Sequence, residues 1–133
     1  MRVLIVEDDE ALRRLLGELM VNFGHTPFIA RNTEKAAELL GPTRPDLILL
    51  DLLVEGAVST PFIKLARDLM PNKWPRIVML SAMKNAECVA QSNNVEFIQK
   101  PFDLDKLQRV IEGEYAKPVL RKPDKIPSEA RHP

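Results

Sequence analysis

The chain has 133 residues, 45% of them hydrophobic and 29% charged, the proportions of one soluble globular domain with its own core. Its 19 basic and 19 acidic residues cancel, so net charge gives no reason to expect the globular part to bind nucleic acid. A single cysteine, Cys88, rules out an intrachain disulfide and reads as a small helix side chain.

Val3-Leu4-Ile5-Val6 is an apolar, mostly β-branched run and reads as a first strand. It is too short for a signal-peptide core or a membrane span, so a cytoplasmic protein is expected. Glu7-Asp8-Asp9 follows at its carboxyl end. Leu12, Leu15, Leu16, Leu19 and Met20 then recur with the spacing of an amphipathic helix. Asp8 or Asp9 can cap that helix, and Gly24 suits its left-handed end. His25 falls in a surface loop. Thr26 to Ala30 is a second strand, and Pro27 inside it places it at a sheet edge. Asn32 or Thr33 caps a second helix through Leu40, and Gly41-Pro42-Thr43-Arg44-Pro45 is expected to end it sharply.

Asp46-Leu47-Ile48-Leu49-Leu50-Asp51 is four apolar residues running into an acid. A parallel strand covered on both faces reads as a continuous apolar run, and ligand sites lie at the carboxyl ends of such strands. Leu52 to Ser59 is expected to be a loop containing Gly56. A helix begins near Thr60 or Pro61, with Phe62, Leu65, Ala66, Leu69 and Met70 on its inner face. Ile77-Val78-Met79-Leu80 is the fourth strand and ends at Ser81. Asn85 to Gln91 carries only a weak helical pattern, so that helix is expected to be short. Val95 to Gln99 is a last strand, mixed in polarity and therefore at the other edge, ending at Lys100-Pro101. Asp103 caps a final helix with Leu104, Leu107, Val110 and Ile111 inward, reaching about Tyr115.

Strands alternating with helices imply an α/β fold, doubly wound around a parallel sheet. Residues 1–115 form the expected domain. Residues 116–133 carry net charge +3 and four prolines, and read as an extended basic tail or linker. Nothing after residue 115 patterns as an effector domain, so the chain is either a stand-alone switch or a segment of a longer protein.

The strand ends combine into one chemistry. Glu7, Asp8 and Asp51 are carboxylates that would repel at close quarters, and oxygen-only ligands favour a hard cation such as Mg²⁺. A lysine (Lys100) and a hydroxyl (Ser81) on the same rim suit phosphoryl oxygens. A carboxylate can itself be the nucleophile, giving an aspartyl phosphate.

Glu7-Asp8-Asp9, Asp51 after Leu47-Ile48-Leu49-Leu50, Ser81-Ala82 after Val78-Met79-Leu80, and Lys100-Pro101-Phe102 together resemble response-regulator receiver domains over roughly residues 1–115. The resemblance implies a flavodoxin-like (βα)5 fold with strand order 2-1-3-4-5. It implies that Asp51 is phosphorylated by a sensor histidine kinase or a histidine phosphotransfer protein. Asp8 would bind Mg²⁺ directly, Glu7 mostly through water, and Leu53 through its backbone carbonyl. Ser81 and Lys100 would hold phosphoryl oxygens, and Phe97 would change rotamer with Ser81. A cis bond before Pro101, a downstream target protein and possible dimerisation through the last two strands and helices also follow from the resemblance.

Three departures stand out. The family often carries Pro four residues and Gly eight residues after the phosphoacceptor, where this chain has Glu55 and Ser59. The Ser81-to-Lys100 segment is short for the family. Leu53 and Met83 place apolar side chains beside the expected phosphoryl group. Two other readings compete: a dehalogenase-like phosphatase, which wants a second Asp where Leu53 stands, and a receiver-like interaction module that works without phosphorylation.

Overall fold

The computed structural model describes residues 1–113. Five strands form one parallel sheet: β1 (Arg2–Val6), β2 (Thr26–Ala30), β3 (Leu47–Asp51), β6 (Arg76–Ser81) and β7 (Glu96–Gln99). Their order is β2-β1-β3-β6-β7, which is the expected 2-1-3-4-5 once a small hairpin between β3 and the next helix is set aside. The helices are α1 (Glu10–Asn22), α2 (Thr33–Thr43), α3 (Thr60–Leu69), α4 (Ala86–Ser92) and α5 (Leu104–Ile111). The fourth is short, as its weak pattern indicated.

Alternation along each strand divides the core in two. Leu4, Val6, Ile48 and Leu50 face α2, α3 and α4. Val3, Ile5, Leu47 and Leu49 face α1 and α5. All four apolar residues of β3 are fully buried, which explains their unbroken run. Burying each such side chain contributes about 1.5–3 kcal/mol, enough to keep β3 central. β2 and β7 are the edges, and Pro27 lies on an edge strand.

The helix caps follow their sequence signals. Asp9, Asn32 and Asp103 each accept a hydrogen bond from the backbone N–H three residues on. Gly24 has φ +90° just past α1.

Several expectations are corrected. α2 does not stop at Leu40 but runs to Thr43 with Pro42 inside it. Pro42 sits in the last turn, where the Thr43 hydroxyl donates to the Leu39 carbonyl at 2.6 Å and the Arg44 amide reaches Leu40 at 2.9 Å. On α3 the buried residues are Phe62, Ile63 and Ala66, whereas Leu65 and Leu69 are exposed. Leu15 and Leu104 also face outward. α5 ends at Ile111, with Gly113 at φ +88°, short of Tyr115. The tail of residues 116–133 and its boundary lie outside the described residues.

The expected loop from Leu52 to Ser59 is a structured turn. Leu53–Val54 (β4) and Ala57–Val58 (β5) pair as an antiparallel hairpin with Glu55 and Gly56 at its tip. Both tip residues have positive φ, +51° and +79°, the conformation of a two-residue hairpin turn. The Leu52 carbonyl accepts from the Ser59 amide at 2.8 Å.

Candidate functional site

The carboxyl ends of the central strands meet on one rim. The parallel ladder extends past the strands themselves: the Leu52 amide donates to Leu80 at 3.1 Å and the Lys100 amide to Ser81 at 2.8 Å. Asp51, Ser81 and Lys100 are thereby set side by side. β1 delivers Glu7, whose amide still bonds to Ala30 at 3.1 Å. Arg13 on α1 reaches back to the Glu7 and Asp8 carbonyls at 3.0 and 3.3 Å and holds the turn after β1.

Lys100 is the hub. Its Nζ donates to Glu7 Oε1 at 2.9 Å and to Asp51 Oδ2 at 3.2 Å. The peptide bond from Lys100 to Pro101 is cis, as the resemblance implied. Glu7 and Asp51 are both buried, at 2% and 8% exposure, while Asp8 lies open to solvent. Carboxylate oxygens of Glu7, Asp8 and Asp51 all lie within 4.8 Å of one another.

That crowding shows in the protonation equilibria. Burial pushes the Glu7 carboxyl up to about 7, against the bonds from Lys100 and the Asp9 amide, and the Asp51 charge adds to the rise. Asp8 is held below the usual carboxylate range, first by the N–H of Glu55. Burial alone would lower Lys100, but its bonds to Glu7 and the charge of Asp51 outweigh burial and raise it. Three acids with one lysine carry a net negative charge where Glu7 and Asp51 are buried and Asp8 is open to solvent. Oxygen donors of this kind fit a hard divalent cation.

Ser81 is buried on the same rim, with its Oγ accepting from the Met83 amide at 3.0 Å. A hydroxyl that accepts in this way still has its proton to donate. Phe97 lies opposite Met79 in the ladder and is half-buried against the core on the α2–α4 face. The alternation of antiparallel pairs makes Leu52/Ser59 the bonded pair of the hairpin. Leu53/Val58 is then the non-bonded one, which leaves the Leu53 carbonyl outside the hairpin's own ladder.

Two contacts were not anticipated. The Glu55 amide donates to Asp8 Oδ2 at 2.8 Å, and the Ser59 hydroxyl donates to the Asp51 carbonyl at 2.5 Å. Both come from the positions where the chain departs from the usual family pattern. The signal available was Gly56 between apolar flanks, a residue that suits the positive φ of a tight turn.

The family model of the response regulator receiver domain matches residues 3–112. The chain belongs to this family. This receiver domain is 27% identical over 113 residues to sporulation initiation phosphotransferase F of Bacillus subtilis (strain 168), covering 83% of this chain and 90% of that one. It is 33% identical over 110 residues to the phosphate regulon transcriptional regulatory protein PhoB of Escherichia coli (strain K12), covering 80% of this chain. There the receiver domain spans about half of the relative, 48% of its length. The fold superposes on the Vibrio cholerae chemotaxis protein CheY4 with a TM-score of 0.75 at 20% identity, over 84% of this chain and 95% of that one. As a response regulator receiver domain it is a signalling domain of two-component systems and a phosphorylation-dependent switch. No helix among the described residues is long and apolar enough to cross a membrane.

Proposed function

We propose that Asp51 is the residue that accepts the phosphoryl group, from a sensor histidine kinase or a histidine phosphotransfer protein. The observation that carries this reading is the Lys100 ammonium bridging Glu7 and Asp51 in a buried recess. In the transfer, an Asp51 carboxylate oxygen forms a bond to phosphorus as the donor's phosphorus–nitrogen bond breaks, and the imidazole leaves. Lys100 orients the Asp51 carboxylate and afterwards pairs with a phosphoryl oxygen. Ser81 offers its hydroxyl proton to another. Glu7, Asp8, Asp51 and the Leu53 carbonyl would hold Mg²⁺, which supplies positive charge to the phosphoryl oxygens when bound. The chain catalyses no turnover of a separate substrate on this reading, only its own phosphorylation and dephosphorylation.

Phosphorylation adds about −1.5 to −2 of charge at Asp51. Ser81 and Lys100 stand at the ends of β6 and β7, so drawing them toward that charge biases the surface made by β6, β7, α4 and α5. Phe97 sits in β7 between the site and that surface. A downstream target protein, or a second copy of this chain, would bind there, in the cytoplasm and without direct contact of this domain to nucleic acid.

The test is incubation with a small acyl phosphate and Mg²⁺, read by intact mass. A phosphoryl mass gain in the native chain that is abolished in Asp51→Ala is expected. No gain in the native chain would support a module that works without phosphorylation; a gain that persists in Asp51→Ala would place the acceptor elsewhere.

Leu53 and Met83 are both partly exposed beside this rim, at 37% and 39%. Apolar side chains there hinder a water approaching the phosphoryl group. Leu53→Asn is expected to speed loss of the phosphoryl group several-fold, followed by the decay of the added mass after the donor is removed. An unchanged decay rate overturns the idea.

A further inference from the structure

The hairpin after β3 offers a contact to the acidic recess that a proline in place of Glu55 could not. The tip residue Glu55 has φ +51° and gives its amide to Asp8 Oδ2 at 2.8 Å, across 47 residues of sequence. Proline has no N–H and fixes φ near −65°, so it could neither make this bond nor occupy this backbone conformation. The tip is held from its own base: the Ser59 amide bonds to the Leu52 carbonyl at 2.8 Å and the Ser59 hydroxyl to the Asp51 carbonyl at 2.5 Å. Ser59 is 2% exposed, so this second anchor lies inside the protein. Asp51 at the base and Asp8 at the tip are therefore joined by one short, doubly anchored ribbon.

Asp8 needs such a partner. It is the exposed member of the acidic set, and the Glu55 amide is the first of the groups that hold its carboxyl low, ahead of the Glu7 side chain and its own backbone N–H. A carboxylate has two oxygens and about four lone-pair sites. Asp8 can accept the Glu55 N–H on Oδ2 and still offer Oδ1 to a cation. A ligating carboxylate is oriented by its own hydrogen-bond partners, and losing such a partner costs about 10–100-fold in metal affinity.

We propose that the Glu55 backbone amide is a positioning group for the metal site: through the hairpin it fixes the orientation of the Asp8 carboxylate for a divalent cation. The inference rests on the reading of Glu7, Asp8 and Asp51 as the Mg²⁺ site. It gives the departure from proline at this position a role, since the amide that proline lacks is the group that acts. The Glu55 side chain is not required.

The test is calorimetric Mg²⁺ titration of the unphosphorylated protein, with the Glu55 and Asp8 amide and side-chain resonances followed by NMR. An amide-to-ester replacement at residue 55 deletes only the N–H and leaves the hairpin's backbone conformation accessible. It is expected to weaken Mg²⁺ about tenfold or more, by analogy with other oriented metal ligands. Glu55→Pro is expected to do at least as much. Glu55→Gly keeps the amide and suits the positive φ, so it is expected to restore binding, which a requirement for the Glu55 side chain would not allow. In the native protein the Glu55 amide resonance is expected to move on adding Mg²⁺, and that movement is expected to vanish in Asp8→Asn. Mg²⁺ affinity unchanged by the ester overturns the proposal and leaves the metal reading intact. No Mg²⁺ binding by the native chain, or binding indifferent to Asp8→Asn, overturns both.

Discussion

Arg76→Met is expected to destabilise the domain by about 3–5 kcal/mol, the range for breaking a buried ion pair by removing one partner. Arg76 opens β6, and its side chain is 10% exposed. Its Nε and Nη2 bind the two oxygens of Glu96 at 2.6 Å each, a bidentate pair with a carboxylate that is 4% exposed. The same guanidinium donates to the Ile111 carbonyl at 2.7 Å and to the Val110 carbonyl. Those carbonyls belong to the last turn of α5; Val110 also accepts from the Gly113 amide at 3.0 Å, while among the described residues Arg76 is the donor seen for Ile111. Without Arg76, the Glu96 carboxylate and the Ile111 carbonyl lose their donor in a low-dielectric setting, while Val110 keeps the Gly113 amide.

The matched double variant Arg76→Met/Glu96→Leu is expected to cost less than the single Arg76 variant, because it removes the stranded charge. Recovery stays incomplete, since the Ile111 carbonyl still loses its donor. Urea unfolding of the two singles and the double gives the coupling. A single-variant cost below about 1 kcal/mol, the value of an ordinary surface pair, would falsify this account. The clamp also bears on signalling. It joins the starts of β6 and β7, whose far ends carry Ser81 and Lys100, to the end of α5. Weakening it loosens the elements through which the switch is proposed to act.

This pair shows which part of the fold the sequence did not make legible. Strands buried on both faces announce themselves as apolar runs, so β1, β3 and β6 and the polar residues ending them could be read directly. Arg76 and Glu96 lie 20 residues apart on neighbouring strands, and no local pattern pairs them. The inner face of α3 failed for a related reason. Phe62, Ile63, Leu65, Ala66, Leu69 and Met70 cover a wide arc, so periodicity alone could not choose between Ile63 and Leu65. Packing against α2 and the sheet chose Ile63. The run through Pro42 depended on side-chain and backbone bonds in one turn that override a strong stop signal. At the site itself, Glu7, Asp8, Asp51, Ser81 and Lys100 could all be placed on one rim because strand ends in a parallel sheet share an edge. The Glu55 contact could not be read, because its donor is a backbone amide and carries no residue-type signal.

Glu7 gives the second large effect, and its sign is opposite to that of most carboxylates. Its folded pKa is raised to about 7 from an ordinary 4.5. Between those values the folded state holds more protons than the unfolded chain, so this group's contribution to stability falls as pH rises through that window and is flat above it. The difference corresponds to at most about 3 kcal/mol, at 1.36 kcal/mol per pKa unit. His25 works the other way: burial and the neighbouring N-terminus lower its pKa, so its contribution rises with pH up to about 6.5. Comparing native protein with Glu7→Gln isolates the Glu7 part. In chelator, Glu7→Gln is expected to be the more stable of the two at pH 8, with little difference at pH 5. With Mg²⁺ in the proposed site, the native protein is expected to gain much more thermal stability at pH 8 than at pH 5, because protons compete with the cation at the lower pH. Glu7→Gln is expected to lose most of that gain, having one fewer negative charge to relieve. Parallel pH profiles for the two proteins in chelator would show that Glu7 carries its charge without cost. The crowding of Glu7, Asp8 and Asp51 would then not be what draws a cation to the site.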